Sequence, residues 1–191
     1  MIGLVLSLVV TAHAQQYFPK HALGSSHVED QLKQNWYSSQ LRALQEPSIF
    51  ALKSMPRAEC YRFLWLRTFH HPVAIRLEPK PDGTSVLTVK TADGAGGFRP
   101  GVLTENTSKI LSREQTQLFL DRLKNLNFWS APNPVRDQGG TDGSQWIIEG
   151  VKNGRYHIAD RWSPAKGAVY ELGMFLVFDL AQMDIPKNDI Y

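Results

Sequence analysis

A single cysteine, Cys60, occurs in the 191 residues, so the chain can close no intramolecular disulfide. It lies in Glu59-Cys60-Tyr61-Arg62-Phe63, at the start of an expected strand, where a buried inert thiol is the common arrangement. No H-x-H, H-x-x-x-H or C-x-x-C spacing occurs, which argues against a designed zinc site. No internal repeat or low-complexity tract is present. Charge of one sign is also lacking: 21 Lys+Arg stand against 18 Asp+Glu, a net +3 that argues for no nucleic-acid partner. What the chain does have is apolar and aromatic mass. Hydrophobic residues make up 42% and aromatics 10%, with 5 Trp and 9 Phe, which excludes disorder over most of the length. The length suits one domain with a real core.

Ten of the first fourteen residues are hydrophobic, and none is Lys, Arg, Asp or Glu. The run closes on Ala12-His13-Ala14, the small-x-small pattern of a signal-peptidase site. It is too short to span a bilayer, which takes roughly 20 apolar residues. Residues 1–14 are therefore expected to be a signal peptide, and the protein to be secreted or periplasmic with no transmembrane segment. No cysteine near that site supports a lipid anchor.

The remaining chain reads as a polar arm over 15–25, one domain over 26–185 and a tail over 186–191. Ser26-His27-Val28-Glu29 has the pattern of a capping box, and Val28, Leu32, Trp36, Leu41 and Leu44 follow as one helical apolar stripe. Pro47 and Pro56 bracket a short second helix. From Cys60 to Phe69 both alternating sets are apolar, which describes a covered central strand. Val73–Leu77 and Val86–Val89 flank Pro81-Asp82-Gly83-Thr84 as a hairpin, and a fourth strand is expected over Leu103–Ile110. Ser112-Arg113-Glu114-Gln115 opens a helix with Leu118, Leu123 and Leu126 along one side, widened by Phe119 and Leu120. After a loop over 128–143, Asn153-Gly154 joins two strands through a type I′ turn. Ser163-Pro164 starts a last helix to about Met183, whose Leu172–Leu180 stretch is apolar nearly all round and so buried in its own core or against a partner. Strands in contiguous groups predict an α+β fold: an antiparallel sheet of about six strands, two main helices packed on it, and an N-terminal helix.

The Asn-Gly turn sets a register. Lys152 opposes Arg155, Gly150 opposes His157, Trp146 opposes Arg161 and Ile147 opposes Asp160. His157 and Arg161 then share a face with Trp146, while Asp160 points the other way, so His157 and Asp160 cannot bond directly. Trp146, His157 and Arg161, with Gly150 leaving room beside the imidazole, form a candidate ligand-binding surface. The 93–101 loop and the 137–143 loop with Asp142 border it. A helix covering that face is the alternative, with Arg161 snorkelling over the indole.

Other candidates carry less. His70-His71 point to opposite faces of a strand, so they hold no metal together, and no metal site or cofactor is assigned. Gly94-Ala95-Gly96-Gly97 matches no phosphate-binding pattern. Asp137 and Asp142 lack the alternation of a calcium loop, and Ser144 lacks a G-x-S-x-G context. Asn106-Thr107-Ser108 fits a glycosylation sequon. Arg62 and Arg67 fall on opposite strand faces and make no basic stripe.

Tyr61-Arg62-Phe63-Leu64-Trp65-Leu66-Arg67, the Phe69-His70-His71-Pro72 corner, Asp93–Gly97 and Asp142–Gly150 with Tyr156-His157 and Asp160–Pro164 resemble a group of exported bacterial proteins without an assigned activity. The resemblance covers residues 60–182, implies an exported α+β domain and supplies no catalytic residue. The expected function is non-catalytic binding of a partner protein or small polar ligand. The alternatives are a small hydrolase pairing His157 or His70 with Asp142 or Asp160, and an assembly role for the apolar C-terminal helix.

Overall fold

The computed structural model describes residues 15–134 and 140–191; the expected signal segment 1–14 and Asp137 of the second loop lie outside the described residues. Six strands, β1 (Glu59–Arg67), β2 (Val73–Pro79), β3 (Ser85–Ala92), β4 (Leu103–Leu111), β5 (Ser144–Lys152) and β6 (Arg155–Trp162), form one antiparallel sheet. Their order is β4-β3-β2-β1-β5-β6. With α1 (His27–Ala43), α2 (Arg113–Asn125) and α3 (Ala168–Met174, continued as a π-helix over Phe175–Ala181) they make the expected single α+β domain. Asn153 and Gly154 take φ of 50° and 75°, the positive values a type I′ turn needs, and the β5–β6 register follows as read.

Every residue of β1 after Glu59 is buried, because helices cover both sides of the sheet. On the front face Tyr61, Phe63, Trp65, Ile75, Trp146 and Ile148 pack under α2 and α3. On the back face Leu64, Leu66, Ala74, Ile147 and Ile158 pack under α1 and the segment before it. That segment is not a solvated arm: Tyr17, Phe18 and Leu23 are buried in the back core.

Helix faces depart from the periodicity reading. Val28 and Leu32 are 66% and 65% exposed, and α1 instead turns Asp30, Tyr37, Gln40 and Leu41 inward. Polar contacts choose that face: the Tyr37 hydroxyl donates to Asp160 Oδ2 at 3.0 Å, and Gln40 Nε2 donates to the backbone O of Gly96 and Phe98. In α2 the buried side is Thr116, Phe119 and Leu123, with Leu118 outside. Ser112 and Gln115 close the expected capping box. At α1, Ser26 Oγ accepts from Glu29 N as expected, but the glutamate reaches back to Ser25. The segment between Pro47 and Pro56 is only a 3-10 turn over Phe50–Ser54. Ser163 does not start α3, which begins at Ala168; its Oγ accepts from Ser144 N at 2.9 Å. Phe175, Leu176, Val177 and Leu180 are buried in the chain's own front core.

Asp30 anchors the N-terminal segment. Burial works to raise its carboxyl, but the N–H groups of Leu23 (2.8 Å) and His21 (3.0 Å) and the Gln34 amide (2.8 Å) together hold it below its ordinary value. A carboxyl with a depressed folded pKa contributes stability above its unfolded pKa and loses it as pH falls through the folded one. Acidification below about pH 4 should therefore release residues 15–25 first, read as loss of hydrogen-exchange protection at Leu23 N. Asp30→Ala should cost about 1–3 kcal/mol and remove that acid step.

Candidate functional site

Trp146, His157 and Arg161 share one sheet face, as parity requires, but with Asp142 they do not line one common pocket. Trp146 is 0% exposed, wedged among Phe63, Trp65 and Tyr170, with ring centroids 5.3, 5.0 and 5.6 Å away. It is a core residue and not the wall of an open pocket, because α3 lies over it. His157 is half-buried against Phe128, whose ring stands edge-on at 5.0 Å. The room left by Gly150 is taken by Phe128 and Tyr61: a Cβ there would meet them at 2.9 and 3.0 Å. Burial lowers the His157 pKa, with the Arg155 and Arg161 charges acting the same way against a backbone bond at Ala131. Arg161 shares the face with Trp146, yet its guanidinium does not stack on the indole. Nη1 donates to Asp160 O and Nη2 to Pro132 O, each at 2.7 Å. Asp142 is exposed in the 140–143 turn, which Thr68 fixes by bonding Gly143 O through its N–H (2.9 Å) and Oγ1 (2.8 Å).

The 93–101 loop and the described end of the second loop, 140–143, meet at the Thr68–His71 corner. Gly96 N donates to His70 O (2.9 Å) and Gly97 N to Thr68 O (3.2 Å), so the 93–101 loop spends its amides on the fold. The hydrolase pairings proposed from sequence do not assemble. His157 and Asp160 point to opposite faces of β6, and Asp160 Oδ2 accepts from Lys33 and Tyr37. His70 instead places Nδ1 2.8 Å from the Tyr191 hydroxyl and Nε2 3.4 Å from Asp189. Burial pushes the Cys60 thiol up to about 12, away from any nucleophilic form at neutral pH. Among the described residues no three His, Cys, Asp or Glu side chains could hold a metal ion, and no helix is long and apolar enough to cross a membrane.

Two polar arrangements were not found from sequence. On the back face, Arg62 donates from Nε and Nη2 to Glu149 Oε2 (3.0 and 2.5 Å) and from Nη1 to Pro47 O (2.6 Å). Glu46 Oε2 lies 3.1 Å from Arg76 and 3.6 Å from Arg62, and Oε1 lies 3.1 Å from Lys90. The Tyr156 hydroxyl donates to Glu149 Oε1 (2.7 Å). The signal was a charge on each of two strands with apolar residues on both faces, which requires a partner. On the front face, Trp146 Nε1 (2.9 Å), Trp65 Nε1 (3.5 Å) and Ser144 Oγ all donate to Tyr191 O.

The Asn127–Ser130 turn separates two recesses. One, of about 550 Å³, is lined by Tyr61, Asp121, Lys124, Trp129 and Lys152. The other, of about 360 Å³, is walled by Leu126, Pro132 and Val169 with Asn127, Ser130, Arg161 and Lys166 as its polar side chains. Of the residues proposed from sequence, Arg161 alone lines this second recess. Compared with known proteins, the chain matches no family model, and no curated protein is significantly similar to it.

Proposed function

We propose that the protein is an exported, non-catalytic binding domain, and that its ligand is a small anionic molecule taken up in the recess beside Arg161. The carrying observation is the setting of that side chain. Two backbone carbonyls hold the guanidinium at the recess margin, Lys166 adds a second positive charge, and Leu126 and Val169 supply apolar wall. A cation already held in one geometry loses little side-chain freedom when it takes up a carboxylate or phosphate. Export is supported by the apolar segment ending in Ala12-His13-Ala14.

Titration of the protein with inorganic phosphate and with citrate, followed by amide chemical shifts, tests the reading. Saturable shifts are expected at Ser130, Arg161 and Ala168, and Arg161→Ala should weaken the apparent affinity roughly 10-fold or more, the scale of one charge-assisted contact. Shifts scattered over all exposed lysines, or unchanged affinity in the variant, would count against it.

A further inference from the structure

The two edges of the sheet differ. The outer edge of β6 is closed: Asn133 Oδ1 accepts from Asp160 N at 2.9 Å, and Arg155 and Arg161 tie the 129–132 segment alongside. Among the described residues nothing covers the edge at β4 in this way, and Thr104 through Ile110 are all exposed. We propose that β4 is a self-pairing edge, on which a second copy of this chain docks antiparallel to extend the sheet across a two-fold axis at Thr107.

Ala92 N donates to Pro72 O and Lys80 N to Thr84 O, so even-numbered residues of β3 turn their polar groups towards β2. Odd residues from Ser85 to Thr91 turn theirs towards β4, where Leu111, Lys109, Thr107 and Glu105 oppose them. Asn106, Ser108 and Ile110 therefore send N–H and C=O outward, whereas Thr104 sits in the bulge opposite Thr91/Ala92 and donates its hydroxyl to Thr91 O. A two-fold at Thr107 sets Asn106 opposite Ser108 of the second copy, and Ser108 opposite Asn106 of the second copy. Both residues face outward, so each of these two pairs can exchange two backbone bonds.

Side chains select the same register. Across that axis Glu105 stands opposite Lys109 of the second copy, and Lys109 opposite Glu105 of the second copy. These fall at non-hydrogen-bonded positions, where side chains approach most closely. Shifting the axis to Asn106 would keep backbone parity but set Glu105 against Thr107, losing both charge pairs. The strand is thus self-complementary in charge, as an isologous interface requires. Pairing would also cover part of Ile110, which is 59% exposed in the single chain. Of the devices that usually blunt an edge strand, β4 has one lysine and a bulge at its start opposite Thr91/Ala92, and the self-pairing register uses that lysine as a partner.

Sedimentation velocity of the full chain over a roughly hundredfold dilution series tests this. A monomer–dimer equilibrium is expected. Glu105→Lys and Lys109→Glu should each weaken dimerisation roughly 10-fold or more, by replacing two attractive pairs with like charges. The double variant E105K/K109E should restore affinity to within about 3-fold, because it rebuilds the pairs with signs exchanged. Amide exchange gives an independent reading: Asn106 and Ser108 N–H should gain protection as concentration rises. A monomer at every concentration, or a dimer indifferent to both single changes, would overturn the proposal. So would a double variant no better than the singles.

Discussion

Trp146→Ala should destabilise the protein by about 3–5 kcal/mol in urea or thermal unfolding, the range for deleting a large buried aromatic side chain. The indole is surrounded by Phe63, Trp65 and Tyr170, and α3 comes so close that a Cβ on Gly173 would sit 2.6 Å from its ring. The void could not be filled by settling of α3 alone, because Val169, Leu172 and Leu176 already pack into the same core. The indole N–H is lost too, and with it bonds to Tyr191 O and Ser144 Oγ. Trp146→Phe should cost less, since it keeps most of the ring volume. A Trp146→Ala protein as stable as the wild type would show that α3 does not close over the sheet as described.

The second large effect is electrostatic. Removing one member of a buried ion pair leaves the other charged and desolvated, at a cost of about 3–5 kcal/mol. Glu149→Ala leaves Arg62, which is 0% exposed, with only the more distant Glu46 at 3.6 Å as a carboxylate partner, and also takes the acceptor from the Tyr156 hydroxyl. Arg62→Met should be similarly harmful. The double variant R62M/E149L should recover most of the loss, because Glu46 keeps Arg76 and Lys90 as partners when Arg62 is gone. A double-mutant cycle by urea denaturation measures this directly. Additive losses in the double variant would mean that the two side chains do not act as a pair.

Legibility in the sequence tracked how local the deciding interaction is. The β5–β6 register was readable because Asn153-Gly154 carries its own backbone preference. The covered central position of β1 was readable because apolar residues occupy both alternating sets. The inward face of α1 was not, since Tyr37 and Gln40 take their partners 123 and 56 residues away. At the candidate site the shared face of Trp146, His157 and Arg161 followed from parity alone. Whether that face is open was beyond parity, because it depends on where α3 lies. The burial of Leu172–Leu180 was legible, though not that its cover is the chain's own sheet.

Strand alternation repeats every two residues, so apolar packing penalises a slip of one place and tolerates a slip of two. The Arg62–Glu149 pair removes that tolerance. Sliding β5 by two residues along β1 would keep every greasy side chain facing inward, yet it would bring Ile147 or Val151 opposite the guanidinium. Two salt-bridged side chains thereby act as a locating pin between central strands, restricting the sheet to one alignment out of several that hydrophobicity alone would allow.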